Sequence, residues 1–146
     1  WKLHPRCHSG MSLLYLSFLL AFLLKYFCWR YQKGYSGGFG INSFLSTAVS
    51  RAWAGGMKVV DVYAFMCPRC SGNGVSGVQA LVNYLKSRSV RHDMIWMDVE
   101  QCSGCWESDL ASNCAWIKSL ANEYKRLGAR VGIYSSPYEV NSYIFL

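Results

Sequence analysis

No run of basic residues, no Asn-x-Ser/Thr sequon and no apolar stretch of membrane-spanning length occurs in the 146 residues. Because the net charge of +7 is dispersed along the chain, a nucleic-acid partner has no concentrated footprint to bind, and none is expected. A basic surface of this kind favours anionic surfaces in general, bacterial walls included. The missing sequon removes N-glycosylation as a guide to compartment. The longest apolar run, "MSLLYLSFLLAFLL" from Met11 to Leu24, has 14 residues, whereas a membrane span wants about 20. It follows a basic lead of Lys2, His4, Arg6 and His8, and its length suits a signal-peptide core. No small-x-small cleavage site follows, and Lys25 leads straight into "YFCWRY". Residues 1–25 are read as a signal-like or anchor segment, with a buried helix or sequence foreign to the fold as the other readings. Any membrane contact would run through residues 11–24 alone.

With 52% hydrophobic and 16% aromatic residues, disorder is excluded for the remainder, and residues 26–146 have room for one domain with a core. Seven cysteines (Cys7, Cys28, Cys67, Cys70, Cys102, Cys105 and Cys114) are many for a cytosolic domain of this size. They point to an oxidising, secretory compartment, and the odd number leaves at least one thiol unpaired within the chain.

Strand and helix signals alternate. "YFCWRY" (Tyr26–Tyr31) reads as a strand, and the glycine-rich "GYSGGFGIN" ends at Asn42, a plausible N-cap. Leu45, Ala48, Val49 and Ala52 keep helical spacing, and Gly55-Gly56 closes that helix. "KVVDVYAF" (Lys58–Phe65) is a second strand. Val78, Leu81, Val82 and Leu85 mark a helix that ends near "KSRS". "MIWMDVE" (Met94–Glu100) is a third strand. Leu110, Cys114, Ile117, Ala121 and Tyr124 mark another helix, stopped by Lys125, Arg126 and Gly128. "RVGIYSS" (Arg130–Ser136) is a fourth strand. This order predicts an α/β fold of right-handed βαβ units, its parallel sheet either open or part of a barrel. In both architectures function gathers at the carboxyl ends of the strands.

"MIWMDVE" finishes an apolar strand on two acids. Alternation puts Asp98 and Glu100 on one face with Trp96, and Ile95, Met97 and Val99 on the other. Carboxylates that close raise one another's proton affinity, as acid/base catalysis at neutral pH requires. The plainer reading is a strand that ends in water with both acids solvated. Asp61 and Tyr63 share a face near the end of the second strand, and Tyr134 lies near the end of the fourth. Such tyrosines are more often packing than ligand contacts, but here they converge with two acids.

"CPRC" (Cys67–Cys70) and "CSGC" (Cys102–Cys105) each follow a strand. Three chemistries fit. A thioredoxin-like redox pair needs a helix N-terminus to lower the pKa of its reactive thiol, and helical spacing resumes only near Val78. A structural zinc is disfavoured by the 31 residues between Cys70 and Cys102, against a usual interval of about 15 to 20. Disulfides pinning the loops of a secreted protein are preferred, without a pairing that can be read from spacing.

With the elements in order, "FCWRYQ", "AWAGGMKVVDVYAFMCPRC", "MIWMDVEQCSGCW" and "GARVGIYSS" together resemble the glycoside hydrolase family 25 lysozymes, in the branch found in nematodes and amoebae. Four segments in the family's order and at about its spacing are far more specific than a lone D-x-E. The resemblance implies an irregular (β/α) TIM-like barrel, present here in part, and cleavage of the β-1,4 bond between N-acetylmuramic acid and N-acetylglucosamine in bacterial peptidoglycan. It implies Glu100 as general acid and Asp98 as the carboxylate that stabilises positive charge at the sugar or its N-acetyl group. Tyr63 matches the family's Y-x-F tyrosine, and Asp61 and Tyr134 match strand-end positions facing the cleft, as substrate contacts. No metal or other cofactor is implied, and the compartment would be extracellular or a lysosomal or phagosomal lumen.

The family's first strand, with its Gly-x-Asp-Val-Ser type motif, has no counterpart, and neither do its last strands beyond Leu146. The chain also opens on Trp1 rather than Met, so the expectation is a sequence truncated at both ends. Two other functions stand beside the muramidase: a thiol-disulfide oxidoreductase using Cys67 and Cys70, and a wall-binding remnant that holds the glycan without cutting it.

Overall fold

The computed structural model describes residues 40–144. The expected segment 1–25, the strand Tyr26–Tyr31 and most of the glycine-rich turn lie outside the described residues. Within them the order is α1 (Leu45–Ala54), β1 (Val62–Phe65), α2 (Val75–Ser87), β2 (Ile95–Asp98), α3 (Leu110–Arg126), β3 (Val131–Tyr134) and α4 (Pro137–Tyr143). No helix among the described residues is long and apolar enough to cross a membrane.

The strands form one parallel sheet in the order β1-β2-β3. The fold is therefore mixed α/β with a three-stranded parallel sheet, as the alternation of elements predicts; the sheet is not closed into a barrel among the described residues. The register aligns Val62 with Ile95 and Val131, and Phe65 with Asp98 and Tyr134. Aligned residues in a parallel sheet share a face, so the alternation of each strand sorts the sheet into two sides. Val62, Ala64, Ile95, Met97 and Val99 join a buried cluster with Val78, Leu81, Val82 and Leu85 of α2 and Ile117, Leu120, Ala121 and Tyr124 of α3. The helical spacing noted in the sequence is the spacing of these buried positions. Burying a side chain of this size contributes about 1.5–3 kcal/mol, so this two-layer core is the principal source of stability.

The caps follow local chemistry. Asp109 precedes α3 and accepts from the amides of Ala111 at 3.1 Å and Ser112 at 3.2 Å. Gly56 and Gly128 take positive φ just past α1 and α3, as the stop signals imply. Asn42 is not the N-cap of α1: Phe44 is, in helical geometry and without a side-chain cap. Asn42 sits two residues further out, where its Oδ1 accepts from the Phe44 amide at 2.9 Å. The short helix α4 has no counterpart in the sequence reading. It is built on Ser136-Pro137-Tyr138-Glu139, in which the Ser136 hydroxyl accepts from the Glu139 amide and the Glu139 carboxylate accepts from the Ser136 amide, with proline in the first turn.

On the opposite side of the sheet Trp96 stands on the central strand. Its indole N–H donates to Asp61 Oδ2 at 3.0 Å, while Asp61 Oδ1 accepts from the Met94 amide at 3.0 Å. The ring lies across Gly132 of β3, where an added Cβ would stand 2.5 Å from Trp96 Cζ3 and 2.8 Å from Cε3. Glycine is needed here for close approach, not for its backbone freedom. Gly132→Ala is expected to lower stability by about 1–3 kcal/mol through overpacking. Chemical denaturation reads this directly; an unchanged midpoint would mean that the indole can shift without loss.

Candidate active site

The side of the sheet opposite the helices reads upward in rows. Asp61, Trp96 and Gly132 form its floor, Tyr63 comes next to Trp96 in the register, and Phe65, Asp98 and Tyr134 align at the carboxyl end. Glu100 follows two residues beyond Asp98, outside β2. Backbone bonds carry the ladder past the strands: the Met66 amide donates to Asp98 O and the Val99 amide to Tyr134 O, each at 2.9 Å. Asp98 is buried at 8% exposure and Glu100 is half-buried, so the pair does not simply end the strand in water.

Four of the five site residues expected from the sequence converge here. The rings of Tyr63 and Tyr134 meet edge to face with centroids 5.5 Å apart, although their strands are separated by β2. Burial first, then the negative charges of Glu100, Asp98 and Glu139, push the Tyr134 phenol above its ordinary pKa. Charge from all three acids is therefore felt at one hydroxyl. Asp61 is the exception. It precedes β1 at the amino end of the sheet, and both carboxylate oxygens are engaged by Trp96 and Met94. Residue alternation put it correctly on the face of Tyr63 but not at the strand end, because β1 starts one residue after it.

The backbone around Glu100 is held by residues that the sequence reading did not single out. Ser135 Oγ donates to Val99 O at 2.7 Å, Trp106 Nε1 donates to Glu100 O at 3.0 Å, and the Gln101 amide donates to Glu139 Oε1 at 2.9 Å. A Ser-Pro-x-Glu signature was available for Glu139; Trp106 and Ser135 lie within the segments "MIWMDVEQCSGCW" and "GARVGIYSS", but nothing local gave either a role. Asn113, fully buried in α3, anchors the following loop: its Oδ1 accepts from the Glu107 amide, and its Nδ2 donates to Glu107 O and Tyr143 O at 2.9 Å.

The cysteine loops lie at the same end of the sheet. Cys67–Cys70 and Cys102–Cys105 are disulfides, and Cys114 is also disulfide-bonded. The Arg69 amide donates to Cys105 O at 3.1 Å, which ties the two loops together. The sulfurs of Cys67, Cys70 and Cys105 lie within 4.8 Å of one another, but zinc binds thiolates, which these disulfides lack. A redox role is poorly supported as well: Cys67 is fully buried, and α2 begins five residues after Cys70. An open pocket of about 470 Å³ lies beside this region, lined by Arg69, Cys102, Trp106, Glu107 and Tyr143 among others. None of Asp61, Tyr63, Asp98, Glu100 and Tyr134 lines it.

Residues 24–144 match the family described as "Lys-1: Lysozyme-like protein 1". The chain is similar to counting factor 45-1 of Dictyostelium discoideum, 43% identical over 104 residues that make up 70% of this chain and 35% of the relative. Counting factor 50 of the same organism is 41% identical over 107 residues, 72% of this chain and 35% of the relative. Its probable GH family 25 lysozyme 3 is 40% identical over 107 residues, 72% of this chain and 22% of the relative. The chain thus spans little more than a third of these relatives at most. No solved structure matches it.

Glu100→Gln is expected to lower the Tyr134 pKa towards the ordinary tyrosine value, because the phenolate would no longer face that carboxylate. An NMR titration of the Tyr134 ring reads the change; an unmoved midpoint would place the Glu100 charge away from the phenol.

Proposed function

This chain belongs to the Lys-1 lysozyme-like family, and on that footing we propose that it is a glycoside hydrolase that cuts the β-1,4 bond between N-acetylmuramic acid and N-acetylglucosamine in bacterial peptidoglycan. One observation carries the reading: Asp98, Glu100 and Tyr134 converge at the carboxyl end of a parallel sheet in a chain with this family membership. In this reading the sheet is the part of an irregular β/α barrel that bears the catalytic pair. The disulfides fit a secreted protein or one in a lysosomal lumen.

Glu100, half-buried at the end of the strand, takes the role of general acid in this reading. It donates its proton to the glycosidic oxygen as the bond from that oxygen to the anomeric carbon breaks. Asp98 takes the ionised role in this reading and stabilises the positive charge that develops at the sugar or on its N-acetyl group. Water then adds hydroxide to the anomeric carbon, and its remaining proton returns to Glu100. Tyr63 and Tyr134 form the aromatic wall that positions the sugar. Asp61 serves through Trp96 rather than through substrate, since both its oxygens are already bonded.

A second reading stands beside it, since two of the relatives bear the name counting factor and not lysozyme: a groove that binds glycan without turning it over. Release of reducing sugar from purified peptidoglycan separates the two. Glu100→Gln and Asp98→Asn are each expected to reduce the rate by about 10² to 10⁴-fold with the fold intact. Binding with no sugar released by the unsubstituted chain would support the second reading, and full activity in Glu100→Gln would remove Glu100 as the acid.

A further inference from the structure

Glu139 sits on α4, outside the sheet, yet one side chain joins two loops. Its Oε2 accepts from the Ser136 amide at 3.3 Å and from Ser136 Oγ at 2.9 Å, closing the cap of α4. Its Oε1 accepts at 2.9 Å from the amide of Gln101, the residue that follows Glu100. A helix cap needs only the first set of bonds. The second reaches 38 residues back along the chain to the loop after β2.

Two further bonds fix the same short segment, from Ser135 Oγ to Val99 O and from Trp106 Nε1 to Glu100 O. Consecutive peptide groups about Glu100 are thus each held by a partner from another part of the chain. The end of a strand that has left its ladder is ordinarily free to move; this one is tied by three bonds at two successive peptides, on either side of Glu100. We propose that Glu139 is a positioning residue for Glu100: through the Gln101 amide it sets the direction in which the Glu100 carboxyl leaves the backbone. This rests on the reading of Glu100 as the general acid. Effective proton transfer requires reacting atoms at about 3 Å, and a displacement near 1 Å can cost about a hundredfold in rate.

Ser136 supplies the control. Ser136→Ala and Glu139→Ala both break the capping box, but only Glu139→Ala removes the acceptor for the Gln101 amide. Glu139→Gln keeps a carbonyl oxygen that can accept that bond. The full chain in these three forms, beside Glu100→Gln, is assayed on peptidoglycan for kcat and KM, and hydrogen exchange at the Gln101 amide is measured in each. Glu139→Ala is expected to lower kcat about 10 to 100-fold with KM within about twofold, and to speed exchange at Gln101 at least about tenfold. Ser136→Ala should lose stability to a similar degree with kcat nearly unchanged, and Glu139→Gln should recover most of the rate. Equal kcat and equal exchange in Glu139→Ala and Ser136→Ala would overturn the proposal. Activity surviving in Glu100→Gln would instead sink the functional reading, while the exchange data would still decide whether Glu139 holds the segment.

Discussion

The indole of Trp96 decides how the sheet is read. It bridges all three strands: its N–H is bonded to Asp61 just before β1, its own backbone belongs to β2, and its ring covers Gly132 of β3. A slip of one residue would swap every side chain of β2 between the two faces. Trp96 would then meet the helices, Met97 would take its place, and Asp98 would face the apolar core, where an ionised carboxylate costs several kcal/mol. The close fit of indole on glycine and the paired oxygens of Asp61 oppose that slip. Through them the floor of the sheet sets where Asp98 and Glu100 emerge.

Above that floor, precision comes from bonds between loops that are distant in sequence. Glu139 links the segment after β3 to the segment after β2, Trp106 folds back on Glu100, and Arg69 binds the loop of the other disulfide. Asn113 fastens the loop after β2 to the end of α4. Helix α4 thereby serves less as a core element than as a carrier for these ties. The disulfides add rigidity to the two loops without supplying chemistry of their own, since neither pair presents a thiolate.

Much of this was legible residue by residue. The alternation of Met94 to Glu100 assigned the correct face to Asp98 and Trp96, and the spacing of Val78, Leu81, Val82 and Leu85 named the buried stripe of α2. These signals are local, and burial follows them closely. Asn42 misled because a good capping residue was present while the first helical turn began two residues later. Asp61 misled because alternation reports a face but not a height: the ladder starts at Val62, so an acid expected at the mouth of the cleft lies at its floor. Helix α4 was missed because seven residues are too few for a clear periodicity, although its Ser-Pro-x-Glu opening was in plain view.

By itself the sequence determined the alternating elements, the apolar faces and the presence of two acids two residues apart at a strand end. Backbone propensity and side-chain period settle those features within a few residues of each position. Only the tertiary structure decided that Tyr63 and Tyr134 meet across β2, that Asp61 supports Trp96, that the paired cysteines are bridged within each C-x-x-C, and that Glu139 touches the residue after Glu100. Each of those contacts joins distant elements or selects among several available partners. Strand register and loop packing select them, and no local pattern encodes that choice.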